Sequence, residues 1–270
     1  MKNLGFIGGG QMAEALIKGV LAADLYRPEQ ILVAEPHGPR RELLHEQYGV
    51  TVHAEAGPLF GACPVLVLAV KPQVVGAVLE QYRGQIGKDH LLISIAAGIS
   101  LAYMEERLAP VAVRVIRVMP NTPALVLAAA SALSPGCHAG TDDLELARQI
   151  FAAVGEAVVL EEKHLDAVTG LSGSGPAYVF TFLEALVDAG VKVGLSREVA
   201  EQLARQTILG SVKLALATPE KNPAALRAMV TSPGGTTIAG LHLLERGGFR
   251  GLVMDAVEAA TARSVELGRG

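Results

Sequence analysis

The chain has 270 residues, half of them apolar, and a formal net charge of -4. That is enough apolar material to bury one large or two ordinary cores, which excludes a disordered chain. Lysines and arginines stand singly or in pairs rather than in stripes, which excludes nucleic acid as a partner.

As far as about Glu161, short β-branched runs alternate with helix-like stretches. The runs are Leu4 to Ile7, Ile31 to Ala34, Val65 to Val70, Leu91 to Ile95 and Val113 to Val118, and their rhythm predicts a parallel sheet. Val65 to Val70 is apolar on consecutive residues, as a strand covered on both faces requires, so it belongs at the centre. The alanines at 128 to 130 leave the strands around them unassigned. Beyond Glu161 the segments are longer and rich in Ala, Leu and Glu, the pattern of an all-helical domain. The expected architecture is α/β over residues 1–161 followed by an all-α domain over 162–270.

Within the second part, Pro176 suits the first turn of a helix, and Ala177 to Ala189 is apolar around most of its circumference. Such a helix has to be buried, against its own chain or against another subunit. Ser196 is placed to cap a helix running to about Ala217, Pro219 and Pro223 break the chain, and helices follow at about Thr237 to Glu245 and Leu252 to Leu267. Gly247 and Gly248 separate those two.

Only two cysteines occur, Cys63 and Cys137, far apart and in no C-x-x-C pair, which suits a reducing cytoplasm and suggests no thiolate metal site. The seven histidines show no metal-ligand spacing. No apolar run approaches the roughly 18 residues of a membrane span, and the start lacks a signal-peptide core. A soluble cytoplasmic protein with neither membrane nor metal is the expectation.

Gly8, Gly10 and Ala13 form G-x-G-x-x-A between the first strand and the first helix, the context in which this motif binds a dinucleotide. Gly8 allows the tight turn, Gly10 lets a pyrophosphate approach the backbone, and Ala13 lets helix and strand meet closely. With Gly9, Gln11 and Met12 they present free N–H groups at a helix start. Glu35 closes the second strand, about 25 residues on, where an acid hydrogen-bonds the adenosine ribose 2′-hydroxyl. A carboxylate there repels a 2′-phosphate, which favours NADH over NADPH; Arg40 and Arg41 lie near enough in sequence to offer a phosphate some compensation.

Ligands of open α/β sheets bind beyond the carboxyl ends of the strands. Ala69-Val70-Lys71-Pro72, Ala96-Ala97-Gly98 and Asn121-Thr122 follow strands there, and prolines stiffen two of these turns. They are candidate nicotinamide-binding segments, although each is also readable as an ordinary strand-to-helix turn. Lys71 either touches a phosphate or is solvated. In the second part, Ser232-Pro233-Gly234-Gly235-Thr236-Thr237 reads as a turn feeding a helix with no acid in its first turn. It offers N–H groups and hydroxyls to a small carboxylate; a simple helix start capped by Thr236 or Thr237 is the alternative.

These motifs in this order, with A-V-K-P, S-I-A-A-G, M-P-N-T-P and L-S-G-S-G-P-A-Y at Leu171 to Tyr178, resemble the pyrroline-5-carboxylate reductases over nearly the whole chain. The resemblance implies reduction of the C=N bond of 1-pyrroline-5-carboxylate to L-proline, the last step of proline biosynthesis, with NADPH or NADH. It implies that Thr237 hydrogen-bonds the ring nitrogen while Ser232, Gly234, Gly235 and Thr236 surround the carboxylate. It also implies a Rossmann domain and a helical domain that interlocks with a second subunit, the homodimers being able to assemble into rings. Glu35 departs from the small polar residue of the NADPH-using members.

Other classes fit less well. Ser172 and Ser174 do not sit in G-x-S-x-G, as a hydrolase nucleophile would. A non-catalytic dinucleotide sensor needs no carboxylate-binding turn. A β-hydroxyacid dehydrogenase needs a lysine on the first long helix of the second domain, and Lys192 comes only near that helix's end.

Overall fold

Eight strands make one sheet: β1 (Leu4–Ile7), β2 (Ile31–Ala34), β3 (Thr51–His53), β4 (Val65–Leu68), β5 (Leu91–Ser94), β6 (Arg114–Met119), β7 (Ala129–Pro135) and β8 (Gly155–Val159). Their order in this computed structural model, which describes residues 3–268, is β3-β2-β1-β4-β5-β6-β7-β8. The five apolar runs are all strands, and β4 lies between β1 and β5, as its unbroken apolar character requires.

The sheet is not parallel throughout. β7 runs antiparallel to β6, and β8 parallel to β7. The link from β6 to β7 holds a single 3-10 turn, Thr122–Val126, too little for a crossover helix, so the chain can only double back. Between β7 and β8 there is room for a helix, and the parallel sense returns. The alanines at 129 and 130 thus begin a strand that their composition did not announce.

The helices of this part are α1 (Gln11–Ala22), α2 (Gly38–Tyr48), α3 (Gly57–Ala62), α4 (Pro72–Tyr82), α5 (Leu101–Leu108), α6 (Thr141–Ala152) and α7 (Leu165–Val168). They cover both faces of the sheet. Leu4 and Phe6 face one core with Leu16, Ile17 and Phe151, while Ile7, Leu66 and Leu68 face the other with Val75, Leu79 and Met104. This is the alternation of a pleated strand, doubled because both faces are dry.

The remaining helices are α8 (Gly175–Lys192), α9 (Arg197–Ala217), α10 (Pro223–Met229), α11 (Thr236–Arg246) and α12 (Phe249–Leu267). The chain divides into two compact units, one running to Ser174 and resuming at Glu258, the other Gly175–Val257. α10 was not foreseen. Pro223, read as a break, starts it, because proline lacks only an N–H the first turn does not need and the Asn222 side chain accepts from Ala225 N–H at 2.9 Å. Ser196 caps α9 as expected, accepting from Val199 N–H.

α8 and α9 pack together around Val187, Ala200 and Ala204, and they approach so closely that a Cβ on Gly190 would lie 2.8 Å from that of Ala200. Little else in Gly175–Val257 is buried. On α8, Val179, Phe180 and Phe182 are exposed, Phe180 by 64%, so the apolar circumference of this helix is not covered by the described residues of its own unit.

In the first unit, α1 rests on the turn before β8 at Gly19, where an added Cβ would stand 2.3 Å from Val154 Cγ1 and 2.9 Å from the Ala153 carbonyl oxygen. Gly19→Val should therefore lower stability by about 1–3 kcal/mol, the usual cost of overpacking a dense core. Denaturant unfolding followed by circular dichroism measures it; an unchanged midpoint would mean that this contact is not close.

Candidate active site

Parallel pairing brings the ends of five strands to one edge of the sheet. Ile7 is level with Ala34 on one side and Leu68 on the other, Leu68 with Ser94, and Ser94 with Arg117. The segments that follow leave from that edge: Gly8-Gly9-Gly10, Glu35, Ala69-Val70-Lys71-Pro72, Ala96-Ala97-Gly98 and Asn121-Thr122. The chain passes from β1 outward to β2 and later returns to β4 on β1's other side, so the turn after β1 opens where the strand order reverses.

Gly8 is held at φ +101, and a Cβ there would stand 2.6 Å from the Ala69 carbonyl oxygen, so only glycine fits. Gly10 is different. A Cβ on it would meet no described protein atom within 4 Å, so packing within this chain does not demand glycine, whereas a phosphate lying against the backbone would. Gly10 is the N-cap of α1 and gives it no side-chain cap, which leaves first-turn N–H groups, Gln11 and Met12 among them, for a ligand. Ala13 is buried against the sheet.

Charged residues frame this loop. The Glu35 carboxylate accepts from Gly9 N–H and from His37 N–H, both at 2.9 Å. Arg40 donates from Nε to the Gly9 carbonyl at 2.6 Å and from Nη2 to the Gly10 carbonyl at 3.2 Å and to Glu14 at 2.5 Å. Arg41 instead holds the carbonyls of Glu35 and Pro36, at 2.8 and 2.7 Å. The second oxygen of Glu14 takes the Tyr48 hydroxyl at 2.9 Å.

On the other side, Lys71 is exposed and precedes Pro72, the first residue of α4. Ala96 is buried and Ala97 exposed, and Gly98 turns at φ +76, where its backbone meets that of Gly268. The Asn121 side chain is committed to the fold: it donates to the Ser172 carbonyl at 3.0 Å and accepts from Ala130 N–H at 2.9 Å. Thr122 is exposed and opens the 3-10 turn.

In the second unit, Ser232 to Gly235 forms a turn with Gly234 at φ +67. Gly235 is the N-cap of α11, so neither Thr236 nor Thr237 caps the helix; they are its first two residues. No acid occupies that turn. A Cβ on Gly235 would collide with Ser232 Oγ at 2.3 Å, so glycine lets the Ser232 hydroxyl lie beside free backbone N–H groups. Nearby, one carboxylate, Glu245, is shared by Arg227 at 3.2 Å and Arg250 at 2.9 Å.

Two charged clusters went unread in the sequence, although one of them was legible there. Arg40, Glu14 and Tyr48 assemble across two helices, and no local spacing announces them. Arg117 was legible, because a charge inside the apolar run R-V-I-R-V-M of β6 asks for a partner. It is buried and pairs at 2.9 Å with Glu162, which also accepts from Leu101 N–H at 2.7 Å.

A family model described as "Pyrroline-5-carboxylate reductase dimerisation" matches residues 162–267, and one described as "NADP oxidoreductase coenzyme F420-dependent" matches residues 3–98. A pyrroline-5-carboxylate reductase of Synechocystis sp. is 48% identical over 99% of this chain and 98% of its own length. Among solved structures, a pyrroline-5-carboxylate reductase of Coxiella burnetii aligns with a TM-score of 0.93 and 38% identity over 98% of both chains. The Plasmodium falciparum pyrroline carboxylate reductase, solved with NADP bound, aligns at 0.87 with 35% identity over 99% of this chain and 98% of that one.

Burial and the hydrogen bond to Glu14 push the Tyr48 phenol up from its ordinary value of 10 to about 12. A raised value favours the protonated form in the folded state, so this contribution to stability is complete below pH 10 and is lost as pH rises through about 12. Alkaline titration of tyrosine absorbance should show this late-ionising phenol in the wild type and lose it in Tyr48→Phe. Amplitude lost from the ordinary phase near pH 10 instead would show that Glu14 does not hold the hydroxyl.

Proposed function

The chain belongs to the pyrroline-5-carboxylate reductase family, and from that premise we propose that it reduces the C=N bond of 1-pyrroline-5-carboxylate to give L-proline, the last step of proline biosynthesis. When bound, the nicotinamide dinucleotide supplies the hydride. The C=N carbon accepts it while the nitrogen of the protonated imine keeps its proton and becomes the ring amine, so the protein has mainly to position its reactants.

The observation that carries this reading is the pairing of two glycine-rich helix starts in one chain, one after β1 and one before α11, neither capped by a side chain. Gly10, Gln11 and Met12 would hold the pyrophosphate on N–H groups, because those of Gly8 and Gly9, expected to be free, are taken by the Ala34 carbonyl and by Glu35. The Glu35 carboxylate, anchored by two backbone N–H groups, keeps lone pairs for the ribose hydroxyls and sets a negative charge against a 2′-phosphate. Val70 to Pro72, Ala96 to Gly98 and the backbone at Asn121 and Thr122 would border the nicotinamide. Ser232, Gly234, Gly235 and Thr236 would hold the substrate carboxylate, and the Thr237 hydroxyl the ring nitrogen.

The functional division falls on this reading between residues 161 and 162, where the dimerisation model begins. The helical part would form a homodimer, and dimers could assemble into rings. What supports this is the three-residue core of Gly175–Val257 beside its many exposed apolar side chains. No helix among the described residues is long and apolar enough to cross a membrane, and the protein is proposed to work in the cytoplasm.

Thr237→Ala should lower kcat/KM for pyrroline-5-carboxylate by about tenfold or more, the loss of one hydrogen bond to a charged group, while dinucleotide affinity stays nearly unchanged. Unchanged turnover would remove Thr237 from the reaction. Wild-type kcat/KM should favour NADH over NADPH by more than about tenfold, and Glu35→Ser should narrow the gap, because the repulsion of a 2′-phosphate goes with the carboxylate. A wild-type preference for NADPH would overturn that assignment.

A further inference from the structure

We propose that Arg40 is a positioning residue for the pyrophosphate: it pins the glycine loop so that the N–H groups of Gly10 and Gln11 face the ligand, and it does not read a 2′-phosphate. This rests on the dinucleotide reading above. The Gly9 residue is gripped from both sides, its N–H by Glu35 at 2.9 Å and its carbonyl by Arg40 Nε at 2.6 Å. In a planar trans peptide the C=O and the following N–H point in opposite directions. Drawing the Gly9 carbonyl toward α2 therefore turns Gly10 N–H away from α2, and the hold of Nη2 on the Gly10 carbonyl does the same for Gln11 N–H. The carbonyls, which would repel a phosphate, are turned away by the same contacts.

Three further observations favour this role over phosphate reading. The Gly10 carbonyl already accepts from Glu14 N–H at 3.0 Å, whereas the Gly9 carbonyl lies outside the helical ladder, so Arg40 supplies what the helix does not. The guanidinium charge is met by Glu14 at 2.5 Å, and Tyr48 fixes Glu14 from its other oxygen, so the cation comes with its counter-charge built in. Glu35, which follows β2, sets a carboxylate beside any 2′-phosphate. The planar fork of arginine can reach two carbonyls and a carboxylate together, which one ammonium cannot do in the same geometry.

The test is equilibrium binding of NADH, NADPH and ADP-ribose to the full-length wild type, Arg40→Ala, Arg40→Lys and Arg41→Ala, with steady-state kinetics and the ligand-free melting temperature. Arg40→Ala should weaken all three ligands by one common factor, on the order of tenfold. At saturating NADH, its kcat and its KM for pyrroline-5-carboxylate should stay within about twofold, the split expected when only cofactor binding is lost. Arg40→Lys should recover part of the affinity, and Arg41→Ala should leave ADP-ribose binding unchanged. Wild-type affinity in Arg40→Ala, or a loss confined to NADPH, overturns the proposal. If Arg40→Ala lowers the melting temperature, Arg40→Lys decides: uniformly weaker binding supports the role, and wild-type binding overturns it. A wild type that binds neither dinucleotide overturns the underlying reading, a result distinguishable because no variant is involved.

Discussion

Parallel strand pairing is the constraint on which the first unit depends. Because β3, β2, β1, β4, β5 and β6 all run one way, each connection from one of them to the next needs a crossover, and every crossover starts at the same edge. The loops that leave that edge gather there whatever their separation in sequence. Gly8, at φ +101 against the Ala69 carbonyl, is where the constraint is tightest, since β1 and β4 are neighbours and their exits compete for the same space. The glycine that makes the turn possible also exposes the start of α1.

That exposed start has to be oriented as well as uncapped. Glu35 and Arg40, arriving from the end of β2 and the first turn of α2, hold the N–H and the carbonyl of one glycine. The second βα unit thus acts as scaffold for the loop of the first, which, on the proposed dinucleotide site, ties the recognition of the adenosine end to the geometry of the pyrophosphate end. A substitution in α2 then reaches the phosphates without touching them.

Much of this was legible in the sequence because it rests on local rules. The unbroken apolar run at β4, the G-x-G-x-x-A between strand and helix, the serine before α9 and the glycines between α11 and α12 each carry their structure within a few residues. What escaped depends on distance or on competition. β7 is antiparallel because of the length of the link before it, not because of its own alanines. α10 was missed because a proline that ends one pattern can begin another when an asparagine precedes it. Arg40, Glu14 and Tyr48 meet only once α1 and α2 have packed, and the Asn121 amide joins Ser172 to Ala130, partners that no local spacing announces.

The helical unit presents the opposite problem, being legible in its elements and unsatisfied in its packing. α8 carries apolar residues around most of its surface, yet α9 covers only one stripe of it. Each fully exposed leucine or phenylalanine forgoes about 1.5–3 kcal/mol available from burial, so a surface of this kind is not stable by its own packing. On the proposed dimer, folding and association of this part become one process, and its stability depends on the concentration of the chain. The turn from Ser232 to Thr237 is carried by that same unit. The precision with which Gly235 and Ser232 present N–H and hydroxyl groups is then set by association as much as by the local sequence, so binding at this turn should report on assembly as well as on the residues that form it.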